Sequence, residues 1–159
     1  GAAEGLWRFL QTTWHSLWGQ LGWMALPLPD WAYALAAAFL AVVGAGWLIR
    51  GLRRERPPLD APARWRRLAW VTLAAAAGLV LLQYAYYNTV FYQAQGRYLF
   101  PALIPVSLAV ALGLAGWPRL ASSSRLRARL RWAGPLLVMG VFVPLNLFVV
   151  WRILPLLAP

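Results

Sequence analysis

The chain has 159 residues, of which 62% are hydrophobic and 12% are charged, with 15 basic side chains, 4 acids, a formal charge of +11 and no cysteine. Soluble domains carry about 25% charged residues, so this composition excludes an ordinary soluble domain and indicates a membrane protein. Without cysteine there are no disulfides or thiolate metal sites, and His15 is the only histidine. We therefore expect no metal and no cofactor.

Residues 1–30 mix tryptophans with polar side chains, which excludes a secretory signal peptide because such a peptide has a continuous apolar core. Helical spacing predicts an amphipathic helix on the outer membrane surface, since tryptophan prefers the headgroup layer. Asp30 is expected to cap the next helix, with a catalytic carboxylate as the alternative. The apolar face of the predicted helix is formed by Trp7, Leu10, Trp14, Leu17, Trp18 and Leu21.

Four uncharged apolar stretches follow, at residues 31–49, 68–87, 99–117 and 132–151. About 20 residues at 1.5 Å rise cross a hydrocarbon core of about 30 Å, so each stretch predicts a transmembrane helix. The predicted fold is an all-α integral membrane protein, with four transmembrane helices preceded by an amphipathic interfacial helix. Residues 31–159 form the predicted four-helix domain.

Twelve of the fifteen arginines lie in two predicted loops, seven in residues 50–67 and five in residues 118–131. The positive-inside rule assigns both loops to the cytoplasm. The N-terminus, residues 88–98 and the C-terminus are then predicted to lie outside. We expect these arginines to contact anionic membrane lipids and not nucleic acid, because neither loop contains a nucleic-acid-binding motif. Residues 122–125 are a candidate helix start.

The predicted outer loop carries the most distinctive residues, because five of the six tyrosines lie within residues 84–101. Arg97 precedes a predicted helix, where its charge opposes the helix dipole unless an anion lies between it and free backbone amides. Gln93, Gln95 and Tyr98 would support that anion. The alternative is an aromatic belt with one snorkelling arginine.

Two further features concern helix geometry. Ala37, Ala41 and Ala45, and likewise Ala109 with Gly113, have the four-residue spacing that lets membrane helices approach closely. Pro105 is expected to bend the third helix, because proline leaves the carbonyl four residues earlier without its hydrogen bond.

Residues 93–105 read QAQGRYLFPALIP and resemble the "QGRYLFPxLxP" signature of a bacterial family of predicted membrane proteins of unknown function. Residues 17–23 are similar to the aromatic "FWGxFGW" segment that precedes the last helices of that family. The family in turn resembles the type C glycosyltransferases, polytopic relatives of the protein mannosyltransferases. Those enzymes take a sugar from a polyprenyl-phosphate donor at the outer face of the membrane.

The resemblance implies the C-terminal transmembrane portion of a glycosyltransferase-like protein of the bacterial inner membrane, acting in cell-surface glycan assembly. It implies that Arg97 clamps the phosphate of a polyprenyl-phosphate sugar, supported by Gln93, Gln95 and Tyr98. Type C enzymes use an acidic residue of an early outer loop as the general base. Neither Glu4 nor Asp30 matches the position of that residue, so no catalytic residue is assigned. The catalytic part is therefore expected outside this chain. The alternative is a non-catalytic four-helix scaffold, whose partners would be the remainder of a longer chain or other membrane subunits.

Overall fold

The computed structural model describes residues 1–21, 26–53, 63–91, 94–153 and 155. Five α-helices account for most of these residues, and short 3₁₀ helices flank the fourth. The α-helices are α1 (Ala2–Trp18), α2 (Asp30–Leu52), α3 (Ala63–Val90), α4 (Leu103–Leu114) and α5 (Ser124–Phe148). The shorter elements are the paired strands β1 (Gln20–Leu21) and β2 (Leu26–Pro27), the 3₁₀ helices η1 (Gly96–Ala102) and η2 (Trp117–Leu120), and a π-helical turn at Val149–Ile153.

Four helical segments are long and apolar enough to cross a membrane: Asp30–Leu52, Arg67–Val90, Gly96–Leu120 and Ser124–Arg152. Each includes most of one predicted span, and α1 precedes them all, so the four apolar helices and the N-terminal helix are confirmed. Helix α1 ends where Gly19 adopts a φ of 151°. Residues that have a Cβ rarely adopt this backbone conformation.

The helices extend beyond the uncharged stretches and into the charged segment 118–131 that the sequence predicts to connect the last two spans. Residues 117–120 form η2, and α5 begins at Ser124 and carries the four arginines at 125, 127, 129 and 131. Arginine is a good helix former, so its charge limits the membrane span without ending the helix. The Ser123 hydroxyl accepts a hydrogen bond from the Leu126 amide at 3.2 Å, which confirms the helix start predicted at 122–125. Within the other predicted loop, residues 54–62 lie outside the described residues.

One prediction is corrected at a helix start. Pro29 is the N-cap of α2, and Asp30 is the first helical residue. The charge of Asp30 still lies in the first turn and interacts favourably with the helix dipole. Pro105 is the third residue of α4, which directly follows η1. The bend predicted at Pro105 stays a prediction.

The chain divides into two compact units, of which unit 1 comprises Gly1–Gln20 and Arg56–Ala109 and unit 2 comprises Leu21–Glu55 and Val110–Pro159. In unit 1, α1 and the end of α3 contact η1. In unit 2, α2 contacts η2. It also contacts α5 through ring pairs such as Phe39 and Phe142, whose centroids are 5.4 Å apart.

Small residues bring α2 close to the end of the third apolar segment within unit 2. A Cβ added to Gly113 would lie 2.6 Å from the Val43 carbonyl oxygen, so the predicted close approach at Gly113 is confirmed. Ala37 and Ala41 of the predicted seam on the first span are exposed in the chain itself. The buried face of α2 is instead formed by Ala32, Tyr33, Ala36, Phe39, Val43 and Gly46.

Candidate functional site

The candidate site lies in unit 1, where one face of α1 contacts the end of α3. Phe9, Thr13 and Ser16 follow one another at helical spacing and therefore share a face. The Thr13 hydroxyl lies 2.7 Å from the hydroxyl of Tyr84, and the Phe9 and Tyr84 ring centroids are 5.9 Å apart. Tyr84 is buried. This contact fixes the last turns of α3 against α1.

Ser16 joins α1 to the chain that leads into η1. Its Oγ accepts a 2.6 Å hydrogen bond from the Gly96 amide and lies 3.2 Å from the Ala94 carbonyl oxygen, to which it can donate. A Cβ added to Gly96 would lie 2.6 Å from the backbone of Leu17. Since only glycine permits this approach, the position of η1 depends on Gly96.

An aromatic cluster and one cation lie at the start of η1. The Tyr87 ring centroid is 5.3 Å from that of Tyr98 and 5.6 Å from that of Phe91. The Arg97 guanidinium carbon lies 5.7 Å from the centre of the Tyr98 ring, within the range of a cation–π contact. Arg97 is exposed. An exposed residue therefore places its guanidinium beside an aromatic ring at the start of η1.

Gln95 brings an amide group to the same place. Its backbone is extended and caps η1, and its carbonyl oxygen accepts a 3.1 Å hydrogen bond from the Tyr98 amide. Its side-chain Oε1 is buried and has no hydrogen-bond partner among the residues that the structure describes. A buried acceptor without a partner is costly, so this oxygen favours a ligand that supplies a hydroxyl or an N–H group.

Gln95, Arg97 and Tyr98 lie at the start of η1, where the Arg97 guanidinium contacts the Tyr98 ring. Gln93 lies outside the described residues. Two backbone amides at this helix start have partners within the protein, because the Gly96 amide donates to Ser16 and the Tyr98 amide donates to the Gln95 carbonyl. The Arg97 side chain is therefore the candidate for attracting an anion here.

Ser16 and its neighbours were missed in the sequence because α1 has three faces and not two. The third face lies between an exposed apolar face, with Leu6, Trp7 and Leu10 at 59%, 67% and 50% exposure, and a charged face. Glu4 and Arg8 form an exposed ion pair at 2.9 Å on the charged face. Thr13 and Ser16, three residues apart and flanked by tryptophans, were the available signal.

No obvious catalytic or metal centre accompanies the cluster in the described part of the chain. The Glu4 carboxylate is engaged by Arg8 and also lies 3.4 Å from the N-terminal amino group. The described residues contain no group of three or more histidine and acidic side chains that could hold a metal ion. The described residues at the start of η1 therefore offer a cation, a side-chain amide and aromatic rings.

The comparisons with known proteins add no assignment. No family model, no curated protein and no solved structure matches this chain. The resemblance to the type C glycosyltransferases therefore rests on the two short motifs, and function has to be argued from the geometry around η1.

Proposed function

We propose that this chain is an integral membrane protein that crosses the bilayer four times, with η1 at the outer surface and the arginine-rich ends in the cytoplasm. Four helical segments have the required length and composition. The asymmetric distribution of arginine supports the orientation. The exposed Leu6, Trp7 and Leu10 of α1 support a position of that helix in the membrane interface.

We further propose that the site at η1 binds the phosphate of a lipid-linked sugar. The observation that carries this proposal is the exposed Arg97 guanidinium beside the Tyr98 ring. A guanidinium binds phosphate oxygens through paired charge-assisted hydrogen bonds. Gln95, two residues earlier, has a side-chain oxygen without a partner among the described residues. In this proposal a sugar hydroxyl donates to that oxygen.

A polyprenyl-phosphate sugar combines these chemical features, because its phosphate lies at the headgroup level and its sugar lies just outside. The proposed activity is therefore the binding of such a donor by a glycosyltransferase-like protein of the bacterial inner membrane that acts in cell-surface glycan assembly. Transfer to an acceptor hydroxyl needs a base within hydrogen-bond reach. In this proposal another part of the enzyme supplies that base.

One observation favours a second candidate function, a non-catalytic scaffold subunit of a larger membrane complex. The acid among the described residues of unit 1 is Glu4, and its carboxylate is paired with Arg8. Within the described part of that unit, no unpaired carboxylate accompanies Arg97. A scaffold would need no base and would not depend on Arg97.

The test measures binding of polyprenyl phosphate and of a polyprenyl-phosphate hexose to the chain in zwitterionic lipid nanodiscs. We expect Arg97→Gln to weaken binding of both lipids by about tenfold, because it removes hydrogen bonds to a charged group. Arg64→Gln is the matched control, because the Arg64 guanidinium carbon lies 5.6 Å from the neighbouring Trp65 ring in the same kind of contact. That variant should bind like the unmodified protein.

Gln95→Leu separates the sugar from the phosphate. We expect this variant to weaken binding of the glycosylated lipid while leaving polyprenyl phosphate unaffected, since the lost oxygen accepts only from the sugar. Its stability should be maintained, because the change removes a buried acceptor that has no described partner. Binding that is unchanged in both Arg97→Gln and Gln95→Leu would contradict the proposal and favour the scaffold.

A further inference from the structure

A second concentration of charge lies in unit 2, where η2 meets the end of α2. Arg119 donates from Nη1 to the carbonyl oxygens of Arg50 at 3.5 Å and Arg53 at 3.4 Å. Arg53 donates in return from Nη1 to the Arg119 carbonyl oxygen at 3.1 Å. These bonds satisfy carbonyls at the end of α2 that lack helical partners. They also bring the side chains of Arg53 and Arg119 to the end of α2 that carries Arg50, and we call these three residues the arginine cluster (Arg50, Arg53 and Arg119).

The arginine cluster is positioned by helix packing and not by a flexible loop. A Cβ on Gly46 would overlap the Gly113 carbonyl oxygen, and a Cβ on Gly116 would overlap the Gly46 carbonyl oxygen. The Trp117 indole donates a 3.1 Å hydrogen bond to the Val42 carbonyl oxygen of α2. Since Trp117 begins η2, this packing fixes the segment that carries Arg119.

The charge of the cluster is not compensated by acids in the part of unit 2 that the structure describes. The acid described there is Asp30, in the first turn of α2, roughly 30 Å from Arg50 at 1.5 Å rise per residue. The bonds within the cluster go to carbonyl oxygens, which carry no net charge. They use only Nη1 of Arg53 and Arg119, so other donors of these guanidinium groups remain for a ligand.

Two neighbouring side chains complete the surface. Arg50 is half-buried and its guanidinium carbon lies 5.8 Å from the Trp47 ring centre. Arg127 of α5 donates from Nη2 to the Ala121 carbonyl oxygen at 3.3 Å, just after η2. A fourth guanidinium therefore lies beside the same short segment of chain. The resulting surface is strongly cationic. It offers guanidinium N–H groups as hydrogen-bond donors, with the Trp47 ring beside Arg50.

We propose that the arginine cluster binds one anionic lipid whose headgroup carries two phosphate groups. The proposal rests on the membrane insertion proposed above, which brings the ends of Asp30–Leu52 and Gly96–Leu120 to the headgroup level. Basic pockets between membrane helices bind such headgroups, and guanidinium groups match phosphate oxygens. Two phosphates offset two of the cluster's three positive charges, whereas a single phosphate leaves two uncompensated.

The experiment is a native mass spectrometry titration of the full chain in neutral detergent with cardiolipin, phosphatidylglycerol and phosphatidylcholine. We expect one cardiolipin per chain to bind more tightly than phosphatidylglycerol at equal phosphate concentration. Arg50→Gln should weaken cardiolipin binding by about tenfold, because it removes charge-assisted hydrogen bonds. Arg50 is the decisive position because its described bond within the cluster uses its backbone carbonyl, which the substitution retains. Arg119→Gln should have the same effect, with circular dichroism reporting whether the variant folds.

Arg129→Gln is the charge-matched control, since Arg129 is exposed on α5 and lies almost opposite Arg127 around the helix. It should retain cardiolipin affinity within about twofold, because distant surface charges interact weakly in water. Equal losses in Arg50→Gln and Arg129→Gln, or phosphatidylglycerol binding as tightly as cardiolipin, would overturn the two-phosphate site. Failure of membrane insertion gives a different result, in which no lipid of any class binds and the protein remains soluble without detergent.

Discussion

Replacing Gly96 with alanine tests the contact that joins η1 to α1. The added Cβ would lie 2.6 Å from the Leu17 nitrogen, Cα and Cβ. Two of these atoms belong to the backbone of a helix, so they cannot move away by a side-chain rotation. Among the described glycines, only Gly19 has a positive φ, so the φ of Gly96 is negative. Alanine can therefore adopt the conformation, and the expected effect is steric.

The size of the effect follows from two terms. Forcing an extra carbon into a packed contact costs about 1–3 kcal/mol. A shift of η1 away from α1 also lengthens the 2.6 Å bond from the Gly96 amide to Ser16, and a net hydrogen bond contributes about 1 kcal/mol. We therefore expect Gly96→Ala to lower the free energy of unfolding by about 2–4 kcal/mol.

The assay is equilibrium unfolding of the full chain in mixed micelles, followed by circular dichroism as the fraction of denaturing detergent rises. Gly78→Ala is the matched control, because a Cβ at Gly78 in α3 meets no atom within 4 Å. Alanine has the higher helix propensity, so this control should be as stable as the unmodified protein or more stable by up to about 1 kcal/mol. If Gly96→Ala matched Gly78→Ala in stability, the close contact of η1 with α1 would be refuted.

Two other substitutions test unit 2 with the same assay. Gly46→Ala brings a Cβ against the Gly113 carbonyl oxygen and should lower the free energy of unfolding by about 2–4 kcal/mol. Gly140→Ala is the control and should not lower it, because the added Cβ meets no atom within 4 Å. Equal stabilities of the two variants would show that α2 does not approach Gly113 closely. Ser123→Ala removes the hydroxyl that accepts from the Leu126 amide and should cost about 1 kcal/mol, and a Ser122→Ala variant that loses as much would argue against this cap.

The four apolar helices could be predicted because an uncharged, apolar stretch of about 20 residues has the length and composition needed to cross a bilayer. Their ends could not, because helix formation and membrane burial depend on different properties. Arg125 and Arg131 are unsuited to the bilayer core yet are good helix residues, and α5 includes both. The 3₁₀ helix η1 was also missed, and it moved Pro105 from an expected helix interior into a first turn.

The candidate site was only partly predictable for a related reason. Arg97, Gln95 and Tyr98 are close in sequence, so their proximity is local and could be anticipated. The partner of η1 could not, because Ser16 lies 80 residues from Gly96. A single sequence gives no information about which polar residue of α1 meets which turn. The burial of the Gln95 side-chain oxygen was likewise not predicted from the sequence.

The hydrogen bond between Ser16 and Gly96 also constrains how the protein is made. Its donor is synthesised 80 residues after its acceptor, and a ribosome adds about 5–20 residues per second. Helix α1 is therefore synthesised several seconds before the turn that holds it. In the proposed membrane protein, the tryptophans of α1 would adsorb to lipid during that interval. Adsorption of the N-terminal helix to the bilayer surface would then precede its contact with η1.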